Sequence, residues 1–138
     1  MRRVESRVRV RYAETDQMGV VYYASYFVWM EIGRVDYCSA IGFEYRDMES
    51  DGVVLAVTDA HCRYRASARF HEEVRVLTWM QESRSRTIRF AYEMRRIDGD
   101  QLLATGDTLH MACDPSGKPV RLPEKYREYF PLTASGDG

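Results

Sequence analysis

The sequence predicts an α+β fold in which a curved, antiparallel five-stranded sheet wraps around one long central helix. Two observations predict this arrangement. The segment from Ala24 to Ile41 contains no Pro and is apolar on nearly all sides, so a helix formed here must be covered by other structure. One segment of alternating apolar and polar residues precedes it, and four β-rich segments follow it with little helical periodicity between them.

Length and composition indicate one compact domain. The chain has 138 residues, 45% of them hydrophobic, which suffices for one core, and we assign residues 1–132 to a single domain. Lys and Arg total 20 against 21 Asp and Glu, so no global charge favours nucleic acid or an anionic membrane as a partner. The N-terminal segment lacks the apolar core of a signal peptide, and no window has the length of a membrane span. We therefore expect a soluble, cytoplasmic protein.

The elements that precede the four β-rich segments follow in order. Val4–Tyr12 alternates apolar with charged residues, as a half-exposed strand does. A turn at Asp16 leads into the helix, and Gly42 is placed to end that helix as the residue after the C-cap. The polar, turn-rich segment Phe43–Gly52 predicts a surface connection.

The second half of the chain predicts four strands, which with the first strand and the helix give an α+β fold with a meander. A tight turn at Asp98–Asp100 separates the last two strands. Pro123–Phe130 predicts a short helix with Pro123 near its start, and the polar tail Thr133–Gly138 is expected to be disordered. The four predicted strands are Val53–Arg65, Glu73–Gln81, Arg84–Ile97 and Leu102–Cys113.

Asp16, in the turn between strand and helix, is the strongest candidate for chemistry. This position sets a carboxylate beside the first turn of a helix, where free backbone N–H groups and the positive end of the helix dipole face outward. Acyl transfer needs both a group that attacks or activates water and donors aimed at the developing oxyanion. The alternative is that Asp16 caps the following turn. Gly19 is either an ordinary turn residue or a position that requires a positive φ or the close approach of a substrate.

Several motifs resemble those of one known family. The most specific is Thr15–Tyr23, which reads TDQMGVVYY, followed by Tyr26 and Glu31. The other matches extend over nearly the whole chain and are Tyr64, Ala68–Phe70, Glu72, Glu73, Gly106–His110, Gly117–Pro119, Leu122 and Pro123. The pattern resembles the 4-hydroxybenzoyl-CoA thioesterase family, which consists of acyl-CoA thioesterases with the hotdog fold.

The resemblance implies roles for particular residues. Asp16 would be the catalytic carboxylate, acting as nucleophile or as the base that activates water, and the backbone N–H of Tyr23 would polarise the thioester carbonyl. Relatives carry either His or Tyr at the position of Tyr23, so the backbone role carries over but a side-chain acid/base role does not. The residues assigned to substrate binding are Gly19, Val20, Tyr22, Tyr26, Glu31, Val57, Asp59, Arg84, Arg86 and Thr87.

Three of these assignments have alternatives. Glu31 either forms the floor of the acyl pocket or pairs with Arg34 across a subunit seam, and we favour the ion pair. Asp59 either positions a water molecule or faces solvent. Arg84 and Arg86 flank a hydroxyl and suit the phosphates of CoA, because guanidinium groups bind phosphate in a fork, or they belong to a solvated hairpin end.

The histidines and cysteines do not predict a second type of site. The histidines lack metal-ligand spacing. His61 is predicted to share a strand face with Val57 and Asp59, so it could approach the site. The cysteines are odd in number and widely spaced, which indicates reduced, packed thiols. Neighbouring strand residues face opposite sides, so His61 and Cys62 cannot form a dyad, and the chain has no Gly-x-Ser-x-Gly elbow. The residues concerned are His61, His71, His110, Cys38, Cys62 and Cys113.

The sequence therefore predicts an acyl-CoA thioesterase that hydrolyses the thioester to free acid and CoA, with no metal or redox cofactor. Two alternatives stay open: an acyl-carrier-protein thioesterase, which would use the same pantetheine arm, and a non-catalytic acyl-CoA-binding protein. A dehydratase of this fold would rely on a His near the helix, and the helix has none. The resemblance and the exposed sheet edges predict a homodimer with a continuous sheet, paired further into a homotetramer.

Overall fold

The computed structural model describes residues 2–133 of the chain. This part contains one antiparallel five-stranded sheet and one long helix, which confirms the predicted α+β class. The strands and helices are β1 (Arg3–Arg9), α1 (Ser25–Ala40), α2 (Tyr45–Ser50), β2 (Val54–Tyr64), β3 (Glu73–Ser83), β4 (Thr87–Arg96) and β5 (Leu102–Cys113). No helix among the described residues combines the length and apolar composition needed to cross a bilayer.

The order of strands in the sheet is β1-β3-β4-β5-β2, and all neighbours are antiparallel. Strands β3, β4 and β5 form a meander, as predicted. Strand β2 is not part of the meander and lies at the far edge beside β5. Because β1 pairs with β3 along seven residues, it occupies the edge of β3 that β2 would need. The second edge of β2 therefore has no strand beside it in the described chain.

Helix α1 packs across one face of the sheet. Trp29, Met30 and Tyr37 are buried against it, and their burial drives the docking of the helix because large apolar side chains leave water. The helix comes close to β3 at Gly33, where an added Cβ would lie 2.3 Å from the hydroxyl oxygen of Thr78. Glycine therefore sets how near the helix lies to the sheet.

The opposite side of α1 is not covered in the single chain. Val28, Ile32 and Val35 are 44%, 37% and 50% exposed. The sequence predicted a helix wrapped on nearly all sides, but one chain supplies a sheet on only one of them. An exposed apolar row of this kind marks an interaction surface.

Two connecting segments differ from the sequence prediction. Phe43–Gly52 is not only a polar connection, since it contains α2 and buries Phe43 and Met48. Their two apolar side chains anchor the segment over the end of the core, and the polar residues around them hide this pattern. The short helix predicted over Pro123–Phe130 is a single 3₁₀ turn at Glu124–Tyr126.

The end of α1 is as predicted, whereas the first residue of the tail predicted to be disordered is hydrogen-bonded. Gly42 follows the helix with a φ of 86°, which confirms its predicted position after the C-cap. Of the tail predicted to be disordered, Thr133 donates its N–H to the carbonyl of Ser83 at 2.9 Å. The remainder of that prediction, residues 134–138, lies outside the described residues.

Strand β2 contains a bulge that decides which residues face the helix. Val57 lies opposite His110 of β5, and Asp59 lies opposite the next residue, Leu109, so Thr58 is the extra residue. The bulge reverses the alternation of faces, so Val57 faces α1 while Asp59 and His61 face the outer side of the sheet. The prediction that these three residues share one face was wrong.

Candidate active site

Asp16 lies in a tight turn between β1 and α1. Its N–H donates to the Val20 carbonyl at 2.8 Å, and the N–H of Gly19 donates to the Asp16 carbonyl at 3.1 Å. Gly19 has a φ of 80°, and an added Cβ there would meet no atom within 4 Å. The turn therefore favours glycine for its backbone angle, and the positive φ suits either interpretation of Gly19.

The exposed Asp16 carboxylate uses one of its two oxygens within this turn. Oδ1 accepts the N–H groups of Met18 at 2.8 Å and Val20 at 3.3 Å, so the residue does cap the turn. Oδ2 has no hydrogen-bond partner among residues 2–133. One oxygen thus holds the loop, and the other is free to accept a proton or to attack a carbonyl carbon.

A second turn of the chain has the same hydrogen-bond pattern. Asp114 Oδ1 accepts the N–H groups of Ser116 at 2.9 Å and Lys118 at 3.0 Å, and Gly117 has a φ of 89°. The Asp114 turn follows β5 and closes no groove against α1. Capping geometry alone therefore does not distinguish a catalytic aspartate, and the surroundings of Asp16 must do so.

The distinguishing feature is a pair of unpaired backbone N–H groups ahead of α1. The N–H groups of Ser25, Tyr26 and Phe27 donate to the carbonyls three residues earlier. Those of Tyr23 and Ala24 have no acceptor within the described chain, and both residues are exposed. Two free donors at the positive end of a 16-residue helix form an anion-binding position.

The side chain of Glu14, which sequence reasoning missed, fixes this corner. It is only 7% exposed, and its carboxylate accepts the Arg11 N–H at 2.8 Å and the indole N–H of Trp29 at 2.9 Å. Its carbonyl accepts the N–H of Tyr22 at 2.8 Å. Glu14 therefore joins the loop that carries Asp16 to the helix whose start offers the free donors. The sequence signal is the acidic residue two positions before Asp16, but its partner Trp29 is 15 residues away.

Aromatic side chains enclose the start of α1. The Tyr64 hydroxyl donates to the Tyr23 carbonyl at 2.8 Å, and the rings of Tyr26 and Tyr64 meet edge to face at 5.1 Å. Tyr23, Tyr26 and Tyr64 line a cavity of about 280 Å³ together with Arg65. Tyr22 is half exposed and stacks on Tyr23 at 4.6 Å. The predicted residues Tyr22, Tyr23 and Tyr26 thus lie together.

A second cavity follows the first one along α1, between the helix and β2, and we refer to the two cavities together as the groove. The second cavity has a volume of about 310 Å³ and is lined by apolar Phe27, Val28 and Val57 and by the charged residues Glu31 and Arg34. Two predicted substrate-binding residues, Glu31 and Val57, therefore face one space. The favoured ion pair between Glu31 and Arg34 is absent from the described chain, in which neither side chain pairs with an opposite charge.

A buried polar chain supports the far end of this cavity. Arg34 Nη1 donates to the Tyr92 hydroxyl at 3.1 Å, and the Thr108 hydroxyl bonds Tyr92 at 2.7 Å and His110 Nε2 at 2.8 Å. Burial, with a smaller contribution from the charge of Arg34, lowers the pKa of His110 to about 3. His110 is therefore neutral near pH 7, and Arg34 carries the only charge of these four groups.

The remaining predicted residues lie elsewhere in the single chain. The bulge in β2 places Asp59 on the outer face of the sheet, away from the groove. Arg84 and Arg86 belong to the turn between β3 and β4, and Thr87 is the first residue of β4. All three lie at the opposite end of β3 from the loop that contacts Val20. Arg84 also pairs with Glu82 at 3.3 Å, whereas Arg86 is exposed.

The cysteines do not supply an alternative nucleophile. Cys38, Cys62 and Cys113 are free thiols, as predicted. Burial raises the pKa of Cys38 to about 11 and also raises the pKa of Cys62, so both remain protonated near neutral pH. No cluster of three or more His, Cys, Asp or Glu in residues 2–133 is arranged to hold a metal ion.

A five-stranded sheet packed on one long helix, with a carboxylate turn and free amides at the helix start, defines a hotdog protein of the thioester-hydrolase class. The chain belongs to the thioesterase-like superfamily, whose family model matches residues 10–130. This match confirms the family and the class of enzyme that the sequence predicts.

Individual relatives agree with this assignment. The chain is 36% identical over 128 residues to YneP of Bacillus subtilis, and the match covers 92% of this chain and 89% of YneP. YneP is named as a candidate acyl-CoA thioesterase. It is 29% identical to the acyl-CoA thioesterase YbgC of Haemophilus influenzae, covering 89% of this chain and 90% of that protein.

Solved structures show the same fold. A DHNA-CoA thioesterase from Staphylococcus aureus superposes with a TM-score of 0.83 at 35% identity, covering 94% of this chain and 84% of that one. A 4-hydroxybenzoyl CoA thioesterase in complex with 4-hydroxybenzoyl CoA superposes with a TM-score of 0.84 at 18% identity, covering 93% and 98%. The second likeness concerns the fold alone.

Proposed function

We propose that this protein hydrolyses acyl-CoA to a free carboxylic acid and CoA, with Asp16 as the catalytic carboxylate and the Tyr23 N–H as the oxyanion donor. The observation that carries the proposal is the pair of unpaired N–H groups at Tyr23 and Ala24, next to a loop in which Asp16 Oδ2 is free. The family membership and the names of the relatives support the substrate class.

The groups present are sufficient for a balanced reaction. If Asp16 is a general base, its carboxylate takes a proton from water and the hydroxide adds to the thioester carbonyl carbon. The Tyr23 N–H then stabilises the oxyanion, the carbon–sulfur bond breaks, and the leaving thiolate takes up a proton.

The same carboxylate can instead act as nucleophile. Its attack expels the CoA thiolate and leaves a mixed anhydride on Asp16, which water cleaves to release the acid and regenerate the carboxylate. Both routes need the oxyanion donors at the helix start, and neither requires a cofactor. Under single-turnover conditions in ¹⁸O-labelled water, ¹⁸O in Asp16 would identify the anhydride route with water attacking the Asp16 carbonyl carbon, because the general-base route places ¹⁸O only in the released acid.

The acyl group would lie in the groove between α1 and β2. The groove begins at Tyr23 and ends at Glu31 and Arg34, so an acyl chain bound there has an apolar wall and two charged groups at its far end. We assign Val57 to the wall and Glu31 to the rim. Turnover of short, long and aromatic acyl-CoAs should differ, and equal rates for all of them would contradict a shaped acyl site.

Replacing Asp16 by Asn tests the catalytic assignment. The amide oxygen of Asn still accepts the N–H groups of Met18 and Val20, so the turn keeps its cap while an uncharged NH₂ group replaces the free oxygen. We expect kcat to fall by roughly 100-fold or more, as when a general base is removed, with little change in KM or in the melting temperature. The measurement is thioester hydrolysis followed by thiol release.

The matched control is Asp114→Asn, because that turn has the same hydrogen bonds and lies after β5. This variant should retain full activity. Equal, measurable activity of the Asp16→Asn variant and wild type would contradict the catalytic assignment. Binding of acyl-CoA without turnover in wild type would instead favour the non-catalytic alternative. Comparing acyl-CoA with an acyl-carrier-protein substrate distinguishes the two thioesterase alternatives.

The proposal also includes the cellular compartment and the oligomeric state of the enzyme. The three free cysteines suit a reducing cytoplasm. The uncovered side of α1 and the free edge of β2 suit a homodimer with a continuous sheet, which could pair again into a homotetramer.

A further inference from the structure

The loop between β2 and β3 carries two arginines whose charges have no opposite partner. Arg65 and Arg69 are exposed, and neither side chain forms an ion pair or hydrogen bond within residues 2–133. Most arginines of the sheet are paired instead, as Arg89 is with Asp107 and Arg75 with Asp100. The carboxylate nearest in sequence, Glu72, is already paired with Arg96 at 3.0 Å.

Both arginines lie beside the proposed oxyanion site. Arg65 lines the same cavity as Tyr23 and Tyr64. Arg69 forms a backbone bridge with Val20 in the Asp16 turn, and the N–H of Val21 donates to the carbonyl of Ala68 at 2.9 Å. The loop is thus fixed to the corner where the thioester would be cleaved.

Their direction from Tyr23 is opposite to that of the acyl groove. The groove extends along α1 and β2 toward Arg34, whereas Arg65 and Arg69 follow the other end of β2. A thioester whose carbonyl lies at Tyr23, with its acyl group in the groove, would direct its CoA portion over this loop.

The length of the pantetheine arm decides between this loop and the turn at Arg84. The arm spans roughly 15 Å, about the length of four or five extended residues. Strand β3 has 11 residues and is roughly 30 Å long, and it separates the Arg84 turn from the Asp16 loop. Arg84 and Arg86 of the same chain are therefore out of reach, while Arg65 and Arg69 are within it.

Exposed aromatic rings continue the surface beyond Arg69. Tyr12 is 77% exposed and Phe70 is 42% exposed, and the two rings meet edge to face at 5.6 Å. Such rings offer faces on which a purine base can stack.

We propose that Arg65 and Arg69 bind the phosphates of CoA for the active site of their own chain, with Tyr12 and Phe70 beside them as a surface for the adenine ring. This inference rests on the proposed function, because it takes the thioester carbonyl to lie at Tyr23. Within one chain, Arg65 and Arg69 take the phosphate-binding role that the sequence assigned to Arg84 and Arg86.

The test compares one acyl group on two carriers. Wild type and the variants Arg65→Gln, Arg69→Gln and the double variant are assayed with acyl-CoA and with the same acyl group on pantetheine, which lacks the nucleotide. For each lost arginine, KM for acyl-CoA should rise roughly tenfold, because charge-assisted hydrogen bonds to phosphate are lost. KM for acyl-pantetheine and kcat for both substrates should remain unchanged.

The matched controls are Arg84→Gln and Arg86→Gln, which should leave both KM values at the wild-type level. If these variants raise KM for acyl-CoA while the Arg65 and Arg69 variants do not, the phosphates bind to the hairpin of a second chain and the inference is overturned. If the Arg65 and Arg69 variants raise KM equally for both carriers, they act on the pantetheine arm or the loop, which also overturns it.

Calorimetric titration with CoA itself separates this inference from the proposed function. Wild type should bind CoA more tightly than pantetheine, and the double variant should lose that preference. This result would support the phosphate site even if wild type hydrolysed no thioester, in which case the proposed function alone would fail. Unchanged CoA affinity in the double variant would overturn the phosphate site.

Discussion

At the scale of single residues, Glu14 is the feature on which the geometry of Asp16 depends. A carboxylate that is 7% exposed is costly unless donors satisfy it, and Glu14 is satisfied by the Arg11 N–H and the Trp29 indole. One of these hydrogen bonds is to Arg11 and the other to Trp29, so the Glu14 side chain connects the Asp16 loop to the helix that carries the proposed oxyanion donors.

We expect Glu14→Gln to lower kcat by roughly tenfold and the free energy of unfolding by about 1–3 kcal/mol. Glutamine has nearly the same shape as glutamate, but its amide has only one acceptor oxygen. Either the Arg11 N–H or the Trp29 indole N–H therefore loses its acceptor and faces the NH₂ group of the amide. The loop and the helix start would then no longer be held in one geometry. The measurements are steady-state thioester hydrolysis and urea unfolding.

The control for stability alone is Ser6→Ala. It removes the 2.6 Å hydrogen bond to Asp36 that ties β1 to α1, away from the Asp16 turn. This variant should lose a similar free energy of unfolding without loss of kcat. If kcat of the Glu14→Gln variant falls no more than that of Ser6→Ala, Glu14 contributes to stability but does not position Asp16.

Sequence reasoning selected Asp16, Tyr23 and Glu31 as candidates because local rules and a recognisable motif point to them. It missed Glu14 because its main partner, Trp29, meets it only through the tertiary fold. It misplaced Asp59 for a different reason: alternation assigns a strand face only while the register is regular, and the bulge at Thr58 interrupts it. Long-range contacts and irregular register are what the sequence alone does not reveal.

At the scale of elements, the position of α1 on the sheet depends on one glycine. Gly33 approaches β3 so closely that a Cβ would lie 2.3 Å from Thr78 Oγ1 and 3.0 Å from Val76 Cγ1. Alanine is a better helix former than glycine by about 1 kcal/mol, so propensity alone would make the substitution stabilising. The steric conflict opposes this gain in a packed core, and the buried β-branched neighbours have little room to move.

We expect Gly33→Ala to be destabilising by about 1–3 kcal/mol, which is typical of overpacking. The cost should be smaller in a Thr78→Ala background, because the closest clashing atom is then absent. The Thr78 hydroxyl has no hydrogen-bond partner in the described chain, so its removal sacrifices no polar contact. Urea unfolding of the two single variants and the double variant measures the coupling, and an equal cost in both backgrounds would contradict this account of the helix position.

At the scale of the whole molecule, the fold leaves two surfaces uncovered. Strand β2 is at the sheet edge, and most of its residues are exposed. The exposed apolar side chains of α1 include Val35 and Val28, and Val28 borders the acyl groove together with Val57 of β2. A second copy that pairs along β2 would cover both surfaces, extend the sheet and enclose the groove.

We expect wild type to have at least twice the mass of one chain by light scattering, and Val35→Glu to shift it toward the monomer because a charge would be buried at the interface. Thioesterase activity should fall as the dimer is lost in this variant, because the groove of the monomer would stay open to water. Leu132→Glu is the matched control, because Leu132 and Val35 are each 50% exposed, and it should change neither mass nor activity. A wild-type chain that is monomeric and fully active would contradict the argument, because it would show that one copy alone closes the acyl site.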